Sequence, residues 1–212
     1  MKEFWPEIVT QASWEELQRI SKEMDFVLIG GWALFLWTGK HKSKDIDIII
    51  DLKTLSALKE KFVLRKNDRL KKYEIKKDTF DIDVYVPFFS KLSVPPEDLL
   101  NEKHFTRIQG IKTAKAESLL ILKQAALADR KNSIKGMKDE IDIITLLISV
   151  DINWKKYKEL LRNYHKEYFE KELVKTIKGF NNKNTDYLGI SFQEFTNWKK
   201  KILEIICAQY FA

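Results

Sequence analysis

Residues 26–51, FVLIGGWALFLWTGKHKSKDIDIIID, set an apolar strand, a glycine pair, a short apolar helix, a polar loop and a second apolar strand in a row. The second strand holds two aspartates among isoleucines. Side chains alternate across a strand, so Ile46, Ile48 and Ile50 share one face and Asp45, Asp47 and Ile49 the other. Two carboxylates side by side repel each other and resist burial, so the pattern calls for a cation between them. A lysine could serve, and a divalent metal serves better. FDIDVYV, residues 80–86, repeats the arrangement: Phe80, Ile82, Val84 and Val86 face the core, with Asp81, Asp83 and Tyr85 opposite. If the two strands are sheet neighbours, three or four carboxylates gather on one face. Such hard oxygen donors suit Mg²⁺ or Mn²⁺. Two such ions about 3.5–4 Å apart would stabilise the attacking and leaving oxygens of an in-line phosphoryl displacement. Gly30 and Gly31 add the complementary half, because bare N–H groups at the start of a helix cradle phosphate.

Outward from this stretch, SWEELQRISKEM (residues 13–24) reads as an amphipathic helix opened by a capping box of Ser13 and Glu16. LKTLSALKEKF returns to helical spacing. KYEIKKDTFDIDVYVP reads as a hairpin turning near Lys77 and Asp78, and TRIQGIKTA as a small hairpin around Gly110. Pro95 and Pro96 open a short helical turn. From Ala116 the helical period dominates: ESLLILKQAALADR, KDEIDIITLLIS, WKKYKELLRNYHKEYFEKELVKTIKGF and SFQEFTNWKKKILEIICAQYF. Strands mixed with helices and then helices alone predict an α+β fold, a mixed sheet flanked by helices over residues 1–115 followed by a helical domain over 116–212.

Composition sets outer bounds. The chain has 212 residues, a formal charge of +7 and 33% charged residues of mixed sign, a balance that suits an anionic partner such as nucleotide or RNA. A single cysteine, Cys207, excludes an internal disulfide framework and a multi-cysteine zinc site, and predicts a cytoplasmic protein. The N-terminus is too acidic and too broken for a secretory signal. No apolar run reaches the roughly 18 residues of a spanning helix, so no membrane is expected.

IGGWALFLWTGKHKSKDIDIII resembles the signature of the DNA polymerase β-like nucleotidyltransferase superfamily: a glycine turn, a spacer, then Asp-x-Asp in an apolar strand. The resemblance implies that Asp45 and Asp47, with a third carboxylate on a following strand, hold catalytic metals. Asp83 is the favoured third ligand and Asp81 the alternative. LLILKQAALADRKNSIKGMKDEIDI resembles the later motifs of abortive-infection AbiEii-type toxin nucleotidyltransferases. It implies that Lys123 contacts nucleotide phosphates and Arg130 supports it, and that Lys138, Asp139 and Asp142 form a later site motif with Asp139 among the catalytic residues. Gly30, Gly31 and Lys44 join the nucleotide contacts. The chain has Gly31 where the family often has Ser. The matched motifs span residues 26–146.

The activity implied is transfer of a nucleoside monophosphate from an NTP, ATP among them, to an acceptor hydroxyl, with Mg²⁺ or Mn²⁺ as cofactor. A tRNA 3′ end is one acceptor and a cognate antitoxin one protein partner. A small molecule or a protein as acceptor, and a catalytically silent antitoxin-like module that binds RNA or protein, stay open as alternatives. The spacing itself puts Lys123 and Arg130 on one helix face and Asp139 and Asp142 on another. His41, His104 and His165 lack metal-ligand spacing and read as ordinary residues, with His41 a candidate loop contact. Trp154, Tyr157, Tyr164, Tyr168 and Phe169 read as helical core rather than base-stacking rings. The basic stretch from Arg65 to Lys77 is read equally as soluble surface and as a guide for RNA.

Overall fold

A computed structural model describes residues 2–208. Seven strands form one mixed sheet: β1 (Val27–Ile29), β2 (Ile46–Ile49), β3 (Arg65–Asn67), β4 (Lys72–Lys76), β5 (Asp81–Tyr85), β6 (Phe105–Ile108) and β7 (Ile111–Ala114), in the order β3-β4-β5-β2-β1-β7-β6. Helices α1 (Glu7–Glu23), α2 (Gly30–Thr38), α3 (Leu52–Lys61) and α4 (Pro96–Leu99) flank or connect the strands. Helices α5 (Ala116–Arg130), α6 (Ile134–Ser149), α7 (Trp154–Asn163), α8 (Tyr168–Gly179), α9 (Thr185–Leu188) and α10 (Phe192–Ala208) follow. Residues 209–211 of the last expected helix lie outside the described residues.

Both expected hairpins form, β4 against β5 and β6 against β7. β1 joins β2 in antiparallel register, Leu28 opposite Ile48 and Ile29 opposite Asp47. β2 and β5 are parallel neighbours, with Ile46 opposite Ile82 and Asp47 opposite Asp83. The alternation read from the sequence therefore holds: Ile46, Ile48, Ile50, Phe80, Ile82, Val84 and Val86 are buried, while Asp47, Asp81, Asp83 and Tyr85 are only partly so.

α2 is apolar on all sides because it is enclosed on all sides. It packs against β1, β2 and β7 below and against α5 and α6 beside them. Gly39 closes it in the left-handed region, φ 68°, as a C-terminal glycine does. Buried Gln124 ties the later helices together, donating to the Phe169 carbonyl at 2.8 Å and accepting from the Tyr157 hydroxyl at 2.6 Å. The single apolar core runs from the sheet into these helices.

Three expectations need correction. α1 begins at Glu7 behind Pro6, so Ser13 is no cap. Ser13 is fully buried mid-helix, and its hydroxyl accepts the indole N–H of Trp32 at 2.7 Å. The helical run from Trp154 to Phe180 breaks between α7 and α8, where His165 takes φ 54°. Tyr168, expected in the core, is 52% exposed.

Candidate functional site

The sheet's polar face and the α5–α6 pair enclose a cleft of about 790 Å³. Local sequence explains how each wall forms. Because Ile29 lies opposite Asp47, the chain leaving β1 at Gly30 passes directly over the Asp47 carboxylate. Gly30 has φ +71°, and a Cβ there would overlap Asp47. Only glycine meets both demands. A side chain at Gly31 would overlap Ser43, whose own hydroxyl donates to the Asp45 carbonyl at 3.1 Å. The volume that a serine at position 31 would fill is thus taken by Ser43.

Of the residues singled out above, Gly30, Gly31, Lys44, Asp45, Asp47, Asp83, Lys123, Arg130, Lys138 and Asp139 all line this cleft. Asp81 and Asp142 do not. Asp81 turns to Lys76, 2.6 Å away, while its backbone N–H donates to Asp45 Oδ1 at 3.2 Å. Asp83, in register with Asp47, meets the Lys72 ammonium at 2.5 Å through Oδ2, and its buried Oδ1 has no hydrogen-bond partner. Burial and the neighbouring Asp83 charge push the Asp47 carboxyl up to about 7, against the pull of Lys123, with Asp45 adding to the rise. Burial likewise raises Asp83, with Lys72 opposing. The Tyr85 phenol is driven well above its ordinary value by burial and by Asp47 and Asp83.

The opposite wall is an ion-pair network. Lys123 Nζ lies 2.6 Å from Asp142 Oδ2 and 3.5 Å from Asp139 Oδ1, Lys138 Nζ 2.8 Å from Asp142 Oδ2, and Arg130 Nε 2.6 Å from Asp139 Oδ2. Lys123, Lys138, Asp139 and Asp142 are all buried. Burial alone would lower the Lys123 ammonium, but Asp142 and Asp139 outweigh it and hold the group above its usual range. Burial likewise penalises the Asp142 anion, yet the two lysines depress its carboxyl to about 2. Lys138 is lowered by burial, Asp142 only partly compensating. His41 lies in the loop between α2 and β2 but is turned into the protein rather than toward a ligand. It is fully buried, both ring nitrogens lack partners, and burial lowers it to about 4.

Several further residues line the cleft, Arg69 and Lys72 among them from the basic stretch Arg65 to Lys77, without an individual role read from the sequence. Lys72 was legible in principle: in KYEIK, residues 72, 74 and 76 alternate onto one face, and Glu74 pairs with Asp83 in the ladder. Arg69, Lys91 and Lys135 line the cleft and, with Lys44, form no ion pair among the described residues. Trp5 also lines it, and no local pattern marks it. Among the described residues no three His, Cys, Asp or Glu side chains stand together as a ready-made metal cage. The donor set still fits a divalent ion shared with a ligand. Asp47 and Asp83 carry neighbouring, incompletely compensated charge, one Asp83 oxygen is unpartnered, and Mg²⁺ characteristically takes one or two carboxylates plus substrate phosphates and waters.

This architecture aligns with JHP933 from Helicobacter pylori over 97% of this chain and 94% of that one, at a TM-score of 0.52 and 18% identity. It aligns with a candidate nucleotidyltransferase from H. pylori over 97% of each chain, at a TM-score of 0.51 and 18% identity. The fold is nucleotidyltransferase-like. No protein-family model and no curated protein matches the sequence. The nucleotidyltransferase-like fold thus rests on architecture rather than on sequence kinship. Among the described residues, no helix is long and apolar enough to cross a membrane.

Proposed function

We propose that the chain is a metal-dependent nucleotidyltransferase. The observation that carries this reading is the register of Asp47 beside Asp83 under the Gly30 turn, facing the cations of α5 and α6 across one cleft. Asp47 and Asp83, with Asp45 beside them, would hold Mg²⁺ or Mn²⁺, which would neutralise triphosphate charge. Asp83 is the better third carboxylate, since Asp81 is engaged by Lys76 and does not line the cleft. The N–H groups at Gly30 and Gly31 would receive phosphate oxygens, with Lys123, Lys138, Arg130 and Lys44 adding positive charge. The acceptor hydroxyl oxygen would attack the α-phosphorus, the bond to the β-phosphate's bridging oxygen would break, and pyrophosphate would leave. Asp83, whose Oδ1 is free, would take the acceptor's proton on its way to solvent. Catalysis would be positioning and charge neutralisation. Asp139, tied to Arg130 and Lys123, would hold those cations in place rather than touch the reacting atoms.

The functional division we propose falls at 115/116, with residues 1–115 carrying the carboxylates and the glycine turn and residues 116–212 the closing wall. For the acceptor we propose an RNA 3′ hydroxyl, as at a tRNA end, and with it an AbiEii-like toxin role in the cytoplasm under a cognate antitoxin. Lys44, Arg69, Lys91 and Lys135, which line the cleft without an ion pair among the described residues, support an anionic acceptor. Incubating the protein with each α-labelled NTP, Mg²⁺ and total RNA tests the reading. Label should enter RNA, and Asp45→Asn/Asp47→Asn protein should leave it unlabelled. Label in protein alone, or equal labelling by the double variant, would defeat it.

A further inference from the structure

We propose that Trp5 is the stacking platform for the nucleobase of the bound nucleotide, an inference that rests on the nucleotide-binding reading above. Of six tryptophans, five are committed to the fold. Trp14 and Trp32 pack on each other at 5.0 Å, Trp154 packs edge-on against Tyr157 at 5.8 Å, and Trp198 stacks with Phe195 at 5.6 Å. Trp37 donates its indole N–H to the Ala114 carbonyl at 2.9 Å. Trp5 has no ring partner and no indole hydrogen bond among the described residues. It is half-buried, and it lines the cleft with Gly31, Ser43 and Lys138.

Its flanking residues are anchored. Phe4 stacks on Tyr187 with centroids 4.5 Å apart and a 17° tilt, and meets the His41 ring edge-on at 5.6 Å. The Lys2 N–H donates to the Asp186 carbonyl at 3.2 Å. On the other side Pro6 caps α1, which begins at Glu7. A two-sided anchor that leaves one large aromatic ring free is poor core design and good receptor design, because a preorganised ring loses little entropy when a ligand covers it. The adjoining chemistry says which ligand. Lys138, whose ammonium lies 5.5 Å from the Phe4 ring, is one of the proposed phosphate-facing cations, so Trp5 stands within a nucleoside's reach of the phosphate site. Every base has a π-face, so such stacking discriminates weakly among bases.

The test compares ATP with inorganic tripolyphosphate, both with Mg²⁺, by calorimetry on wild-type, Trp5→Ala and Trp5→Phe protein. Trp5→Ala should weaken ATP roughly tenfold or more and leave tripolyphosphate unchanged, while Trp5→Phe keeps most of the ATP affinity. ATP, but not tripolyphosphate, should also quench wild-type fluorescence by an amount missing in Trp5→Phe, a readout independent of whether the alanine variant folds. Equal weakening of both ligands, no weakening of either, or an effect confined to RNA binding would overturn the platform. If wild-type protein binds both ligands equally, the platform fails and the phosphate site stands. If it binds neither, the nucleotide reading falls and takes the platform with it.

Discussion

The two walls of the cleft treat charge in opposite ways. On the helical wall three cations, Lys123, Lys138 and Arg130, share two carboxylates, Asp139 and Asp142, and each cation lies within hydrogen-bond distance of an anion. On the sheet wall three carboxylates, Asp45, Asp47 and Asp83, have one ion-paired lysine between them among the described residues, Lys72 on Asp83 Oδ2. Buried charges that are paired belong to the architecture. Buried like charges left together are tolerated where something outside the chain is to be bound. Lys123 joins the walls, since it pairs with Asp142 and also tempers the charge on Asp47.

Removing an anion from the balanced wall should have the largest effect. Asp142→Ala leaves the Lys138 ammonium without its anion and Lys123 with Asp139 alone, 3.5 Å away, in a buried site, and loss of one partner of such a network costs about 3–5 kcal/mol. Urea denaturation should show the loss. A cost near zero would mean that the lysines reach solvent and that the wall is not a closed network.

Removing an anion from the deficient wall should do the reverse to stability while destroying function. Asp47 titrates at 3.8 unperturbed and near 7 in the fold, so between these values the folded state holds the extra proton. The Asp47 contribution to metal-free stability therefore falls as pH rises from about 4 to about 7, against an opposite contribution from His41, which burial lowers from 6.5 to about 4. Asp47→Asn should flatten that slope and leave the metal-free protein at least as stable at pH 8. Transfer should drop on the order of a hundredfold or more. Thermal melts across pH with chelator present, beside a labelled-nucleotide assay, measure both. A variant less stable at pH 8 would show that Asp47 is compensated after all.

Gly30→Ala probes the turn that covers the deficient wall. A non-glycine residue at φ +71° costs about 1–3 kcal/mol, and here its methyl also displaces the Asp47 carboxylate. Stability and transfer should fall together in melts and in the same assay. Intact activity would mean that the Asp47 position is not critical.

Much of this was legible in the sequence because the informative signals were local. Period-two alternation in DIDIII and FDIDVYV gives the faces of β2 and β5, and a glycine pair between strand and helix gives the turn. What stayed hidden depends on distant partners. Ser13 has the composition of a helix cap, and only the approach of Trp32 from α2 shows that its hydroxyl is spent inside the core. His41 sits in a polar stretch, yet Phe4 and Tyr187, 37 and 146 residues away, pack against it. Trp5 could not be found by any periodicity, since what sets it apart is the lack of a ring partner among the described residues. The choice between Asp81 and Asp83 hinged on strand register, and register follows from pairings that the spacing of one motif does not contain.

Lys72 offers the finest test of the difference between the walls, because among the described residues it is the one cation in an ion pair with Asp45, Asp47 or Asp83. It contacts Asp83 at 2.5 Å and Glu74 at 3.1 Å with side chains 12–15% exposed, so Lys72→Met should cost the metal-free protein roughly 1–2 kcal/mol, below the value for a fully buried pair. If Lys72 partly stands in for a divalent ion, Mg²⁺ with NTP should compensate for its loss, and the cost measured by melting should shrink when both are present. A cost that is the same with and without them would make Lys72 an ordinary structural partner of Asp83. The sheet wall would then be balanced in the same sense as the helical one, and the excess of carboxylates would no longer mark a place for a cation from outside.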